Sequence, residues 1–239
     1  MRMTDLRVAT RDVTAQRAFY AGTLGLPVVE ETADAITLQV GATRLTFEAM
    51  TAWDELVYHI AFSIPRNKLA AAKEWLATRA PLLTTDGRDE FDSASWDARM
   101  VYFHDPAGNI LECIARRTLL NDRAGPFGPR DLLSVSEIGL PVDDVPARAA
   151  ALGDALGIAA YKDHSAAFAP LGDEQGLLIV VKAGRPWFPT ATRAVVAPVC
   201  LTLRGTREAH YHLPSLPYEI TAARGLADES GGGCGGGAD

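Results

Sequence analysis

The 239-residue chain lacks any long apolar run, and none of its segments approaches the roughly 18 consecutive apolar residues of a membrane-spanning helix. The first residues, Met-Arg-Met-Thr-Asp, do not form an apolar signal segment either. We therefore expect a cytoplasmic protein that does not interact with membranes.

Basic residues and cysteines are both scarce. The chain has 23 Lys and Arg against 30 Asp and Glu, for a net charge of -7, and no basic stripe, which argues against nucleic-acid binding. Its three cysteines, Cys113, Cys200 and Cys234, have no CxxC spacing. Neither a disulfide framework nor a zinc knuckle is therefore predicted.

Nucleotide-binding and nucleophile motifs are missing as well. No Walker loop or Gly-x-Ser-x-Gly pattern occurs, and the glycines of the tail match GxGxxG without a preceding strand or a following helix. This excludes the common phosphate-binding loops and the nucleophile elbow of hydrolases.

What is present is an ordinary globular composition, 48% hydrophobic, in a repeating order of elements. Asp12 is a predicted N-cap for a helix over 13–24, which Gly25 ends, and strand patterns flank it at 6–10 and 28–47. A second unit repeats this order from Val57 to Ala115, with its helix over 67–79. Each unit is a βαβββ segment.

The rest of the chain continues the pattern only in part. Residues 118–131 have linker composition, and a third βαβββ unit with C-terminal strands is predicted over 132–226, with Asp144 as the N-cap of its helix. Residues 227–239 form a glycine-rich tail that we predict to be disordered.

Three short motifs resemble the vicinal oxygen chelate superfamily, which includes glyoxalase I, extradiol dioxygenases and the fosfomycin and bleomycin resistance proteins. They are Ala18-Phe-Tyr-Ala-Gly-Thr-Leu-Gly-Leu, Tyr58-His-Ile-Ala-Phe and Gly108-Asn-Ile-Leu-Glu. The resemblance implies an α+β fold in which tandem βαβββ units form a cupped mixed β-barrel, with the third unit as an extra half-module. Residues 1–117 are then expected to form one complete domain.

The resemblance also implies a metal site. Family ligands lie on the first and last strands of two units, and the corresponding positions here are Asp5, Glu48, His59 and Glu112. We predict His59, Glu112 and Asp5 as ligands of a divalent ion, Fe, Mn, Ni or Zn, with Glu48 as a further ligand or a base.

Structural explanations compete with each of these assignments. His59 could be a hydrogen-bonded core residue, and Glu112 could form a salt bridge with Arg116 or Arg117. Asp5 could simply be solvated, and a one-residue shift in register would turn Glu48 to solvent.

Three further polar residues stand in strand patterns. Glu137 aligns with the same family position as Asp5, so it is either a site residue or the ion-pair partner of Arg185. His210 and His212 alternate on a strand and are interpreted as a surface pair.

The function predicted from these residues is a metal-dependent enzyme, dioxygenase-like or glyoxalase-like, whose small organic substrate chelates the ion through adjacent oxygens. A metal-free protein that binds or sequesters a small molecule is the alternative. Because a half-module leaves strand edges open, we predict that the third unit either packs on the first domain or pairs with its copy in a homodimer.

Overall fold

The structure is a computed structural model that describes residues 1–162, 164–205, 207–213 and 215–224. The first unit consists of β1 (Arg2–Thr10), α1 (Val13–Arg17) with a π-helical turn (Ala18–Thr23), β2 (Val28–Glu31), β3 (Ala35–Val40) and β4 (Thr43–Ala49). The second consists of β5 (His59–Ser63), α2 (Leu69–Ala77), β6 (Phe91–Ser93), β7 (Ala98–His104) and β8 (Ile110–Arg116).

The third unit follows a short 3-10 turn (Pro129–Asp131) and consists of β9 (Ser134–Val142), α3 (Val145–Leu156), β10 (Phe168–Asp173) and β11 (Gly176–Lys182). The C-terminal strands form a fourth, smaller unit with β12 (Val199–Gly205), β13 (Ala209–His212) and β14 (Tyr218–Arg224). The predicted glycine-rich tail, including Cys234, lies outside the described residues.

All four units share one strand order, in which the first strand pairs in parallel with the last and the remaining neighbours are antiparallel. The strands form two seven-stranded mixed sheets, β13-β14-β12-β1-β4-β3-β2 and β10-β11-β9-β5-β8-β7-β6. The predicted α+β fold of cupped βαβββ units is confirmed.

The pairing of the units differs from the prediction that residues 1–117 form one complete domain. The first unit shares its sheet with the fourth through β1 and β12, and the second shares its sheet with the third through β5 and β9. Each unit leaves one edge of its first strand free, and the linker after β8 lets β9 reach the free edge of β5. The open edge on which the dimer prediction rested is therefore paired within the chain, and the dimer itself stays a prediction.

One glycine lets the linker pass close to the first unit. Gly41, at φ +53°, forms the turn between β3 and β4, and a Cβ there would lie 1.9 Å from the carbonyl oxygen of Leu133. The next amide, of Ala42, donates a 2.8 Å hydrogen bond to that oxygen. Only glycine permits this approach and this φ.

The helices begin and end largely where the sequence predicts. Asp12 accepts a hydrogen bond from the amide of Ala15 (2.8 Å), and Asp144 accepts one from Ala147 (3.1 Å), so both act as N-caps. Helix α3 ends at Gly157 in the left-handed conformation (φ 65°). In the part of the chain that the structure describes, no helix is long and apolar enough to cross a membrane.

The second sheet is apolar on both faces. Ile60 and Phe62 of β5 point into the main core, whereas Ala61 belongs to a separate apolar cluster on the opposite, concave face. This second cluster is built around the candidate site.

Candidate metal centre

Three neighbouring strands bring one imidazole and two carboxylates together on the concave face of the second sheet. Ala61, in the central strand β5, lies opposite Glu112 of β8 on one side and opposite Glu137 of β9 on the other. His59 is two residues before Ala61, so its side chain projects from the same face. Because Ala61 is small, the two glutamates can lean over it towards each other.

The distances within this cluster suit a shared cation. The Nε2 atom of His59 lies 3.5 Å from Oε2 of Glu112 and 3.9 Å from Oε2 of Glu137. One potential ligand atom from each residue lies within 4.8 Å of the other two, and exposures are 7% for His59 and 3% for each glutamate. Among the described residues this is the single cluster of three such side chains.

The orientation of His59 is set by its other ring nitrogen. Nδ1 lies 3.3 Å from the carbonyl oxygen of Ile110, which can only accept, so Nδ1 carries the proton. In the neutral imidazole Nε2 is then unprotonated, and its lone pair faces the carboxylates. A backbone acceptor on the distal nitrogen is the usual way in which a histidine ligand is held in one tautomer.

A β-bulge places a buried arginine beside Glu137. The register between β5 and β9 shifts at Ser136, so that Ser136 and Glu137 both meet the guanidinium of Arg116. Arg116 donates to the Ser136 hydroxyl (3.3 Å) and forms an ion pair with Oε1 of Glu137. Arg116 is 1% exposed. One oxygen of Glu137 is thus held by Arg116, and the other points at His59.

The second and third units are related by repetition, and this relation identifies a fourth position of the site. In the second unit the residue two after His59 pairs with Glu112, and in the third unit the residue two after Glu137, Gly139, pairs with Ile179. Ile179 therefore stands where a fourth ligand would be expected, and it lines the same cavity. The cluster offers three protein ligands and an apolar fourth corner.

An indole ring covers this corner. Trp187 stacks against His59 with ring centroids 5.0 Å apart and an interplanar angle of 32°. A Cβ on Gly139 would lie only 2.5 Å and 2.7 Å from two atoms of that ring, so the absence of a side chain at Gly139 makes room for Trp187. The ring in turn restrains His59.

Burial and like charge shift the titration of the cluster. Desolvation, with the charge of Glu137, raises the pKa of the Glu112 carboxyl to about 8, against the opposing effects of His59, Arg116 and the Tyr102 hydroxyl. Burial alone would lower the pKa of His59, but Glu137 and Glu112 outweigh it and raise that pKa. Without a cation, two buried carboxylates therefore compete for one arginine and one imidazole.

We expect the stability of the metal-free protein to fall as pH rises from about 5 to about 8. In the unfolded chain Glu112 loses its proton near the ordinary 4.5, whereas the folded protein keeps it until about 8. Between pH 4.5 and pH 8 the folded state binds more protons than the unfolded chain. The stability that Glu112 contributes is therefore fully present below about pH 4.5 and is lost as the pH rises through about 8.

Urea unfolding in the presence of a chelator, compared between wild type and Glu112→Gln, measures this contribution. The substitution keeps the shape of the side chain and removes its titration. A difference between the two unfolding free energies that stays constant across this pH range would contradict the prediction.

The cluster forms the floor of a cavity of about 460 Å³, within the usual range of small-molecule pockets. Its walls are mainly aromatic: Phe91, Tyr102 and Phe188 contact one another, Trp96 contacts Phe168, and Trp187 contacts His59. Burial and the neighbouring Glu112 raise the pKa of Tyr102 well above its ordinary value, so this hydroxyl keeps its proton.

The structure brings two of the predicted site residues together and leaves two elsewhere. His59 and Glu112 converge, whereas Asp5 on β1 and Glu48 on β4 belong to the other sheet. Asp5 lies 3.8 Å from the guanidinium of Arg44, and Glu48 lies 2.6 Å from that of Arg7; both carboxylates are about one third exposed. Asp5 does not join His59 and Glu112 because the first unit pairs with the fourth.

The third member of the cluster, Glu137, had a weaker signal in the sequence. Its alignment with the position of Asp5 marked it as a possible site residue, but the ion-pair partner proposed for it, Arg185, was wrong. The partner is Arg116, which the sequence offers as a partner of Glu112 instead. His210 and His212 are exposed on the edge strand β13 and lie opposite Thr221 and Glu219 of β14.

Comparison with solved structures identifies the class of fold. A candidate dioxygenase from Bacillus subtilis superposes with a TM-score of 0.64 at 15% identity, covering 93% of this chain and 85% of that one. Glyoxalase I from Zea mays gives a TM-score of 0.55 at 14% identity, covering 93% and 92%. The chain therefore has the fold of the vicinal oxygen chelate superfamily. No protein-family profile and no curated protein sequence matches it.

Proposed function

We propose that this protein is a metal-dependent enzyme that acts on a small organic molecule with two adjacent oxygen atoms. The observation that carries the proposal is the convergence of His59, Glu112 and Glu137 at the floor of an aromatic cavity. The two similar structures, named as a candidate dioxygenase and a glyoxalase I, are consistent with catalysis at such a centre.

The residues present fit a divalent ion. Two carboxylates buried within reach of one another are unfavourable, and a cation between them removes that cost. One imidazole nitrogen and two carboxylate oxygens suit Fe, Mn, Ni or Zn, and the apolar corner at Ile179 leaves coordination positions for substrate. When bound, such an ion supplies Lewis-acid activation of adjacent substrate oxygens and, in the case of iron, redox chemistry with oxygen.

The surrounding residues have distinct roles in this proposal. Arg116 forms an ion pair with Glu137 and fixes one of its oxygens. Trp187 and Ile110 hold the imidazole of His59 in one orientation, and the aromatic walls exclude water. The Tyr102 hydroxyl, opposite Glu112 across β7 and β8, retains its proton and can donate it in a hydrogen bond to a bound oxygen atom.

Metal analysis by mass spectrometry tests the proposal. Wild-type protein should contain about one equivalent of metal, either when purified without oxygen and without an affinity tag or after reconstitution with Fe, Mn, Ni or Zn. The His59→Ala and Glu112→Gln variants should contain almost no metal. Asp5→Asn is the matched control, because Asp5 lies in the other sheet and should leave the metal content unchanged.

A metal-free binding protein is the second possibility, and one observation favours it. The metal-free protein keeps the Glu112 proton until about pH 8, so Arg116 can balance the charge of Glu137 without an ion. Absence of metal from the wild type after reconstitution with all four ions would support this function and contradict the enzyme.

A further inference from the structure

Two arginines at the mouth of the cavity have no partner for their charge. Arg88 is exposed and Arg185 is half-buried, and both line the cavity. Within the described part of the chain, neither guanidinium forms an ion pair or donates a hydrogen bond. Arg185 instead lies over the ring of Phe168, 5.0 Å from its centroid.

Other arginines around the second sheet are paired. Arg116 binds Glu137, Arg99 binds Glu90, and Arg117 binds Asp92. Asp92 is the exposed carboxylate that also lines the mouth, and it is paired with Arg117, which it shares with Asp97. The mouth therefore carries uncompensated positive charge, in a chain whose net charge is -7.

The segments that carry the two arginines are tied to each other. The Thr85 hydroxyl, in the turn that ends at Arg88, donates a 3.0 Å hydrogen bond to the carbonyl oxygen of Pro189. Pro189 follows Phe188, whose ring packs edge-on against the ring of Phe91 with the two ring centroids 4.8 Å apart. Both arginines line the same cavity as the aromatic rings, whose flat faces favour planar ligands.

We infer that the ligand of this cavity is an aromatic carboxylic acid whose carboxylate is bound at the mouth by Arg88 and Arg185. Guanidinium groups bind carboxylates through charge-assisted hydrogen bonds, often in a bidentate manner. The inference rests on the proposed function, since it places the other end of the substrate at His59, Glu112 and Glu137. The anion subsite itself needs no metal.

Calorimetric titration with two matched probes tests the inference without metal. Naphthalene-2-carboxylate and naphthalene-2-carboxamide share one planar ring system and lack adjacent oxygens, so both can be titrated in the presence of a chelator. At low salt we expect the carboxylate to bind wild-type protein about tenfold more tightly than the amide. High salt should reduce this preference, because the mouth is open to solvent.

In the Arg88→Ala/Arg185→Ala double variant, the ratio of carboxylate affinity to amide affinity should fall to near one. The affinity for the amide should stay within about twofold of the wild-type value. Arg224→Ala is the control, since Arg224 is an exposed arginine on β14 in the other sheet. A carboxylate preference that survives in the double variant, or no preference in wild type, would overturn the inference.

The two proposals fail separately. A protein without metal that still prefers the carboxylate retains the anion subsite and loses the enzyme assignment. A protein that holds one equivalent of metal but binds both probes equally retains the metal centre and loses the anion subsite.

Discussion

Replacement of Arg116 by methionine is expected to destabilise the metal-free protein by about 3–5 kcal/mol, because it leaves the Glu137 carboxylate buried without its counter-charge. Methionine fills most of the space of the arginine stem, so the loss of charge dominates over the loss of packing. Urea unfolding at neutral pH in the presence of a chelator measures the change.

Two variants make this result specific. Arg117→Met removes the adjacent arginine, whose ion pairs with Asp92 and Asp97 are exposed, and it should change stability far less. Arg116→Met/Glu137→Leu removes both charges and should recover most of the stability. Equal losses from the two single arginine variants would show that Arg116 does not compensate Glu137.

The Gly139→Ala substitution is expected to lower the free energy of unfolding by about 1–3 kcal/mol and to displace the indole of Trp187 from the ring of His59. The new Cβ would lie 2.5 Å from the indole of Trp187 and 3.3 Å from the Cβ of His59. Because Gly139 and His59 stand on the paired strands β9 and β5, which cannot separate without disturbing the sheet, the indole has to move. Urea unfolding measures the stability, and a shift in tryptophan fluorescence reports the movement of the ring.

A double-mutant cycle with Trp187→Phe identifies the clash. The smaller ring lacks the atoms that the new Cβ would meet, so Gly139→Ala should cost much less in the Trp187→Phe background. Gly22→Ala is the matched control, because a Cβ at Gly22 would meet nothing within 4 Å. Additive effects of the two substitutions would contradict the proposed contact.

The local features of the fold were predictable from the sequence, and the pairing of its units was not. Asp12 and Asp144 mark helix starts through short-range capping, and alternating strands carry their own pattern. The pairing of β5 with β9 instead depends on which free edge a strand reaches after a linker, and no local pattern records that choice.

The same distinction explains the candidate site. His59 and Glu112 stand in motifs of the second unit, on strands that pair directly, so the sequence predicted both. The resemblance implies Asp5 as the third ligand because it implies that the first unit completes the cup. Glu137 has that place because the third unit does, and its bulge and its arginine partner are products of the long-range pairing.

The pairing of β5 with β9 also determines what a bound ion would do for the whole molecule. His59 and Glu112 precede the linker and Glu137 follows it, so one ion would connect the N-terminal and C-terminal halves of the chain. The free energy of metal binding would then stabilise the association of the two halves. Neither half carries all three residues of the cluster, so the cluster cannot be transferred, duplicated or excised with either half alone.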